Sequence, residues 1–600
     1  MTWDLTSYFP EFNGPEMLQF QEQLRNDVAS LNKMAVALAD LNAENGADWE
    51  RVLLAHEDIV RRMSHLGSYV SCLVSSDARN EDYLEAEAAL TRLRAEFAKV
   101  RIELLRAMKR ADDADFAAFA ARPQIDGAQN YLHRLREEAR RAMAREKEIL
   151  ATDLGVDGIQ AWGRLYDIVA AKLEFEMAYP DGRRERLPMS QRRSLMDHPD
   201  RRVRQAAFDG GNAAWQTVED TVASALNAIA GSRLTLNRHR GVDHFLDIAL
   251  FQAAITRKTL EALFEALRTQ PELPRRILKL KAQLMRREKL AWFDLGAPLD
   301  LPQQENLSWD KVRTVVGASF AQAYPALGDF FEHYVIGKNW VDWEPRGGKR
   351  PGGFCTTSML SKESRIFMTF KESFADMLTL AHETGHAYHG LIMRDMRPYA
   401  RGYPMTLAET ASTFGETMLM NGLLNDPSVS DLEKARILDI EVGHGAVYLL
   451  DIPVRYEFEK AFYEERARGP LSVTRLKELM VATQRRVLGD ALESGGEDSY
   501  FWASKLHFYI TGITFYNFPY TFGYLLSRGL YAMFKREKSD FLSQYEALLR
   551  MAGSDTVENV VQRTVKHDIE QPEFWNSAIR SLEEPLQRLQ ALLPKVLAAA

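Results

Sequence analysis

Cysteine is nearly absent: Cys72 and Cys355 are the only two in 600 residues. Two thiols cannot build a disulfide framework, and a reducing cytoplasm is the expected location. The first residues, MTWDLTSYFPEF, contain no basic stretch followed by an apolar one, so no signal peptide is expected. No apolar run approaches the roughly 18 residues that a membrane span requires, which leaves no reason to expect a membrane partner. Positive charge does not prevail either. The 76 Lys and Arg are outnumbered by 84 Asp and Glu, for a formal net charge of −8. Nucleic acid is therefore not expected as a partner, because phosphate contacts need a basic footprint. A nucleotide loop is also missing. GGKRPGG (347–353) has no Ser or Thr after its lysine and lacks the GxxxxGK[ST] spacing.

What the chain does have is helical pattern. From about Gln19 to Lys109, Ala, Leu, Glu and Arg recur at three- and four-residue spacing, and residues 128–151 continue it. In residues 172–188, Leu173, Phe175, Met177 and Tyr179 alternate with polar residues before Pro180-Asp181-Gly182, the signature of a β-hairpin. Helical pattern resumes near Asp200 and runs to about Arg287. Residues 338–370 break it with Gly, Pro and aromatics, and RIFMTF (365–370) reads as a short strand. A mostly α protein follows, with residues 1–200 as an N-terminal helical lobe carrying the hairpin and residues 201–600 as a second helical domain.

The chemistry lies in KESFADMLTLAHETGHAYHGL (371–391). Ser373 and Asp376 form a capping pair, and Phe374, Met377, Leu378 and Ala381 supply an apolar stripe, so a helix begins here. On that helix His382 and His386 lie four apart and project from one face, where both can bind one zinc ion. Glu383 sits one residue round the helix, placed to accept a proton rather than to ligate. A catalytic zinc needs a third protein ligand. Downstream, LAETASTFGETM (407–418) offers Glu409 and Glu416 on a second helix, seven apart and thus on one face. Glu409 is the expected ligand and Glu416 the acceptor that orients a ligand histidine, with the reverse assignment open. Asp395 is a weaker alternative, too close on the first helix to fold back. His389 shares the face of His382 but is displaced by about 10 Å along the axis, which suits a cleft wall or a polar surface position.

HETGHAYHG, ETASTFGE and HFYITGITFYNFPYTFGYLLS (507–527), together with RLTLNRHRGVDHFLDIAL (233–250) and WEPRGGKRPGGFCTT (343–357), resemble the oligoendopeptidase F family. These are zinc metallopeptidases related to thimet oligopeptidase and neurolysin. The resemblance implies a two-lobed helical zincin-type peptidase with a deep central channel and a few short strands near the metal site. It implies one zinc per chain, held by His382, His386 and Glu409, with Glu383 as general base. Internal bonds of short peptides would be its substrates. It also implies catalytic roles for His507 and Tyr524, and substrate binding by Tyr509, Tyr516 and Tyr520. RIFMTF is expected to align the peptide by main-chain hydrogen bonds.

Two other readings use the same residues. Glu383-Thr-Gly-His386 and Glu441-Val-Gly-His444 are both ExxH pairs, and with Glu409 and Glu416 they could form a ferritin-like di-iron site. A non-enzymatic helical adaptor with a relic metal site is the other.

Overall fold

The computed structural model describes residues 1–299, 301 and 306–599, and its secondary structure is overwhelmingly helical. The chain divides into two compact units, each assembled from three stretches. The first comprises Met1–Ala142, Gln304–Pro427 and Leu530–Asp568; the second comprises Met143–Gln303, Ser428–Gly529 and Ile569–Ala600. Residue 200 falls inside the second unit, so the units interleave along the sequence.

The first unit opens with helix Pro15–Ala37, α1 (Gly46–Ser76) and α2 (Glu81–Met108), which pack on one another. In α1 the buried Trp49, Leu53, His56, Ile59, Met63, Leu66, Val70 and Leu73 recur every three or four residues, the stripe that an amphipathic helix needs to bury one face. Asn80 starts α2 by accepting a hydrogen bond from the Tyr83 amide, satisfying one of the free donors of its first turn.

A small sheet follows in the same unit. β3 (Val341–Asp342) runs parallel to β5 (Ser364–Phe367), and β4 (Phe354–Thr357) pairs antiparallel with the other side of β5. The strand order is therefore β3–β5–β4, with β5 in the middle. All four β5 residues are buried. Arg365 on β5 is 1% exposed; its guanidinium donates to the carbonyls of Asp4 and Ser364, the Ser7 hydroxyl and the Glu363 carboxylate. Ile366 and Phe367 of RIFMTF are thus paired on both sides, which leaves that part of the segment no free edge for a peptide. β3 and β4 are the edge strands; Thr2 bonds to Val341 and Asp342 of β3, and β4 pairs with no strand other than β5 among the described residues.

The metal motif lies on α3 (Phe374–Ile392), and the second acidic motif on α4 (Thr410–Asn425). Both belong to the first unit. In the second unit, β1 (Glu174–Ala178) and β2 (Arg184–Pro188) form an antiparallel hairpin, with Gly182 at φ +90° in its turn, a backbone region that glycine enters without strain. Helices surround a core that includes the fully buried Trp215, Trp502 and Trp575. Arg204 is almost fully buried there and donates to Asp294 Oδ1 at 2.9 Å, so the buried charge is paired.

His56 on α1 makes the first unit sensitive to acid. Its Nδ1 lies 2.9 Å from the Tyr399 hydroxyl, and its ring stacks on Phe97 at 4.7 Å. Burial, with a smaller effect of Arg101, lowers its pKa from 6.5 to about 4. An unfolded chain therefore takes up this proton at higher pH than the folded one, so stability is lost as pH falls from 6.5 toward 4. Urea unfolding across that interval should show a smaller loss for His56→Gln than for the parent. Equal losses would mean that another group is responsible.

Candidate metal centre

Helix α3 begins with a reciprocal cap: Ser373 Oγ accepts from the Asp376 amide at 3.2 Å, and Asp376 Oδ2 accepts from the Ser373 amide at 3.0 Å. From that fixed start the periodic burial of Phe374, Met377, Leu378 and Ala381 sets the helix rotation. His382 and His386 then share one face, their rings edge to face with centroids 4.9 Å apart.

α4 meets α3 at two glycines. A Cβ on Gly385 would lie 2.3 Å from the Ala411 carbonyl oxygen, and one on Gly415 would lie 2.8 Å from that of Ala381. Neither distance is tolerable for a side-chain carbon, so the two backbones approach this closely only because both residues lack one. This crossing carries Glu409 to the histidines. Glu409 is the residue immediately preceding α4, at its N-cap position, rather than within the helix.

Glu409 Oε2 lies 3.3 Å from His382 Nε2 and 3.5 Å from His386 Nε2. Donors held about 2.0–2.1 Å from a tetrahedral zinc lie about 3.3–3.4 Å apart. The residues therefore fit such an ion both in donor type and in spacing. Among the described residues His382, His386 and Glu409 are the one group of three or more potential ligands within 4.8 Å of one another. Ser412, which the sequence reading missed, donates to Glu409 Oε2 at 2.7 Å; its place one turn after Glu409 was the available signal. Glu416 Oε1 lies 2.5 Å from His382 Nδ1, which fixes the ring and leaves Nε2 facing Glu409.

The electrostatics suit a cation. Burial opposes charge on Glu409, but hydrogen bonds to His382 and His386 outweigh it and hold the carboxyl well below its usual range. Burial likewise opposes protonation of His382, and the hydrogen bonds to Glu409 and Glu416 reverse that effect, raising its proton affinity. Glu383 behaves differently. It is 6% exposed, and its buried Oε2 has no hydrogen-bond partner among the described residues. Burial raises its pKa against the opposing pull of the two histidines, so this carboxylate binds protons more readily than a solvated one. The β4 side of the helix is close: a Cβ on Gly353 would stand 3.6 Å from Glu383 Oε1.

Several expectations change. His389 is neither a cleft-wall nor a surface residue. It is fully buried, its Nε2 lies 2.9 Å from the Leu549 carbonyl, and its ring stacks on Tyr403. Asp395 is exposed and paired with Lys362 at 2.7 Å. Glu441 of the second ExxH belongs to the other unit and is bound by Arg528, which opposes the di-iron reading.

His507 and the four tyrosines all belong to the second unit. His507, Tyr516 and Tyr520 form one ring cluster, with centroids 5.6–6.5 Å apart. Burial, with Arg455 and Lys505 nearby, lowers the His507 pKa to about 4, so its ring is neutral near pH 7. Tyr524 is 7% exposed and stacks on Tyr448 at 4.6 Å. Tyr509 does not fit a substrate-binding role: it is 1% exposed and stacked at 3.6 Å on Tyr166.

With cap, crossing and donor triad in view, comparison with known proteins gives the class. The chain belongs to peptidase family M3, whose family model matches residues 194–581, and an oligopeptidase F model matches residues 108–175. Among curated relatives, group B oligopeptidase PepB of Streptococcus agalactiae is 24% identical over 99% of this chain and 97% of its own length. The plasmid-borne oligoendopeptidase F of Lactococcus lactis subsp. cremoris is 26% identical over 67% of this chain, which spans 66% of that relative. In fold, a putative peptidase from Chlamydophila abortus aligns with a TM-score of 0.86 at 19% identity, covering 98% of both chains. The oligoendopeptidase F of Enterococcus faecium aligns at 0.70 and 19%, covering 97% of this chain and 99% of its own.

The crossing can be tested directly. Gly385→Ala should destabilise the protein by about 1–3 kcal/mol and lower the metal retained after dialysis. Gly443→Ala, at a helical glycine with open space around its Cβ position, should be neutral or slightly stabilising. Glu416→Gln should weaken metal binding by about 10–100-fold in competition with a chromophoric chelator; undiminished affinity would remove Glu416 from the centre.

Proposed function

We propose that the protein is a zinc-dependent endopeptidase that cuts internal bonds of short oligopeptides. The observation that carries this reading is the His382–His386–Glu409 donor set with the buried carboxylate of Glu383 one residue from the first histidine. A zinc ion held there would polarise the scissile carbonyl and acidify the attacking water. Glu383 takes the proton from that water and delivers it to the leaving amine; burial, which raises its proton affinity, suits both steps. Glu416 holds His382 in the tautomer that presents Nε2, and Ser412 orients Glu409.

The open edge of β4, beside Glu383, offers main-chain groups to an extended peptide. From family membership we carry over hydrogen-bonding roles toward the peptide for His507, Tyr516, Tyr520 and Tyr524. The preference for short peptides rests on the family and on the oligopeptidase names of the relatives. No helix among the described residues is long and apolar enough to cross a membrane. The two unpaired cysteines suit a cytoplasmic setting.

Glu383→Gln should retain one zinc per chain and lose turnover by about 100-fold or more. A variant that cleaves at the parental rate would sink the general-base assignment. On a ladder of internally quenched peptides, chelator should abolish cleavage, zinc should restore it, and rates should fall as peptides lengthen. Undiminished cleavage of folded proteins would contradict the size preference.

A further inference from the structure

One face of β4 meets α3, where a Cβ on Gly390 would lie 2.9 Å from Thr357 Oγ1. The other meets α1, where Thr356 Oγ1 and Ser68 Oγ lie 2.8 Å apart. Beside this strand is a polar cavity of about 310 Å³, walled by Thr356 and Thr357, by α1 at Ser68 and Ser71, and by α2 at Glu87 and Arg94. All of it lies within the first unit.

The charges of this cavity are unbalanced. Glu87 is taken by Arg350, which reaches both of its oxygens at 3.0 and 2.9 Å. Arg94, on the solvent-exposed rim of this open pocket, has no ion pair or hydrogen bond among the described residues. Its guanidinium lies against α1, where a Cβ on Gly67 would fall 2.4 Å from Arg94 Nη2; the missing side chain is what admits it. The cavity thus presents an uncommitted planar fork of N–H donors amid hydroxyls, a geometry matched by a carboxylate.

We propose that this cavity is a carboxylate-binding subsite for the peptide, with Arg94 as its cation. The proposal rests on the peptidase reading. Gly353 adjoins Glu383 and Thr357 adjoins the cavity, and a chain paired along β4 rises about 3.3 Å per residue. The recognised carboxylate therefore sits about four residues from the cleaved bond. It is either an acidic side chain or the C-terminal α-carboxylate, according to the direction in which the peptide pairs.

Two peptide pairs separate these sources. One exchanges Glu for Gln at each position three to five residues from the cut, on either side; the other exchanges a free C-terminus for an amide. For one pair, the parent should prefer the charged member by about tenfold in kcat/KM, mainly through KM. Arg94→Ala should bring that ratio to about one, and Arg94→Lys should keep part of it. A preference that survives in Arg94→Ala, or its absence from both pairs in a parent that turns over, overturns the subsite. If the parent cleaves nothing, the peptidase reading fails on its own, and anisotropy binding of the same labelled peptides decides the subsite. Charged peptides that bind Arg94→Ala as tightly as the parent overturn it.

Discussion

The centre depends on how closely two helices can cross. Gly385 lies within the HETGH motif and Gly415 immediately precedes Glu416, and each stands where the backbone of the opposite helix passes within the space of a single side-chain carbon. Ligand positions on α3 are set by its cap and its apolar stripe. That α4 delivers a carboxylate to about 3.4 Å from both histidines is set by the crossing. A side chain at either glycine would displace Glu409 and Glu416 together, since Glu409 stands at the N-cap of the helix that carries Glu416.

Around this crossing the charges separate by role. Glu409 and Glu416 are engaged by the histidines, and Glu409 is held well below the usual carboxylate range, which suits a divalent cation. Glu383 is withdrawn from that network, buried, and short of one hydrogen bond. Glu409 and Glu383, two carboxylates of one motif cluster, thus have proton affinities shifted in opposite directions because their surroundings differ, as acid–base chemistry at neutral pH requires.

Much of this was legible in the sequence because it is local. The cap at Ser373 and Asp376, the i,i+4 histidines and the adjacent glutamate need only helix periodicity, and Glu409 follows from the demand for a third ligand. Where the sequence reading went astray, the missing information was tertiary. RIFMTF has the composition of a strand, but no local pattern tells a central strand from an edge one; the N-terminal segment that buries Arg365 lies more than 350 residues away in sequence. His389 obeys the periodicity of the ligand face, yet Leu549 and Tyr403 close over it. Tyr509 belongs to an aromatic-rich stretch in which only packing separates a core ring from an accessible one. A boundary at residue 200 follows the composition, whereas each unit draws on three distant stretches.

That interleaving bears on how the molecule is made. During synthesis the histidines and Glu409 leave the ribosome well before residues 530–568, which complete their unit, and the second unit waits for residues 569–600. Residues 3–139 supply most of one buried cluster early, but each unit also draws on residues made much later, so the helix faces those residues cover stay open in the meantime. Contacts so distant in sequence also carry a large loop-closure cost, which favours slow folding. Both units thus complete only after residue 530 has been made, and that interval is when aggregation competes most strongly with folding.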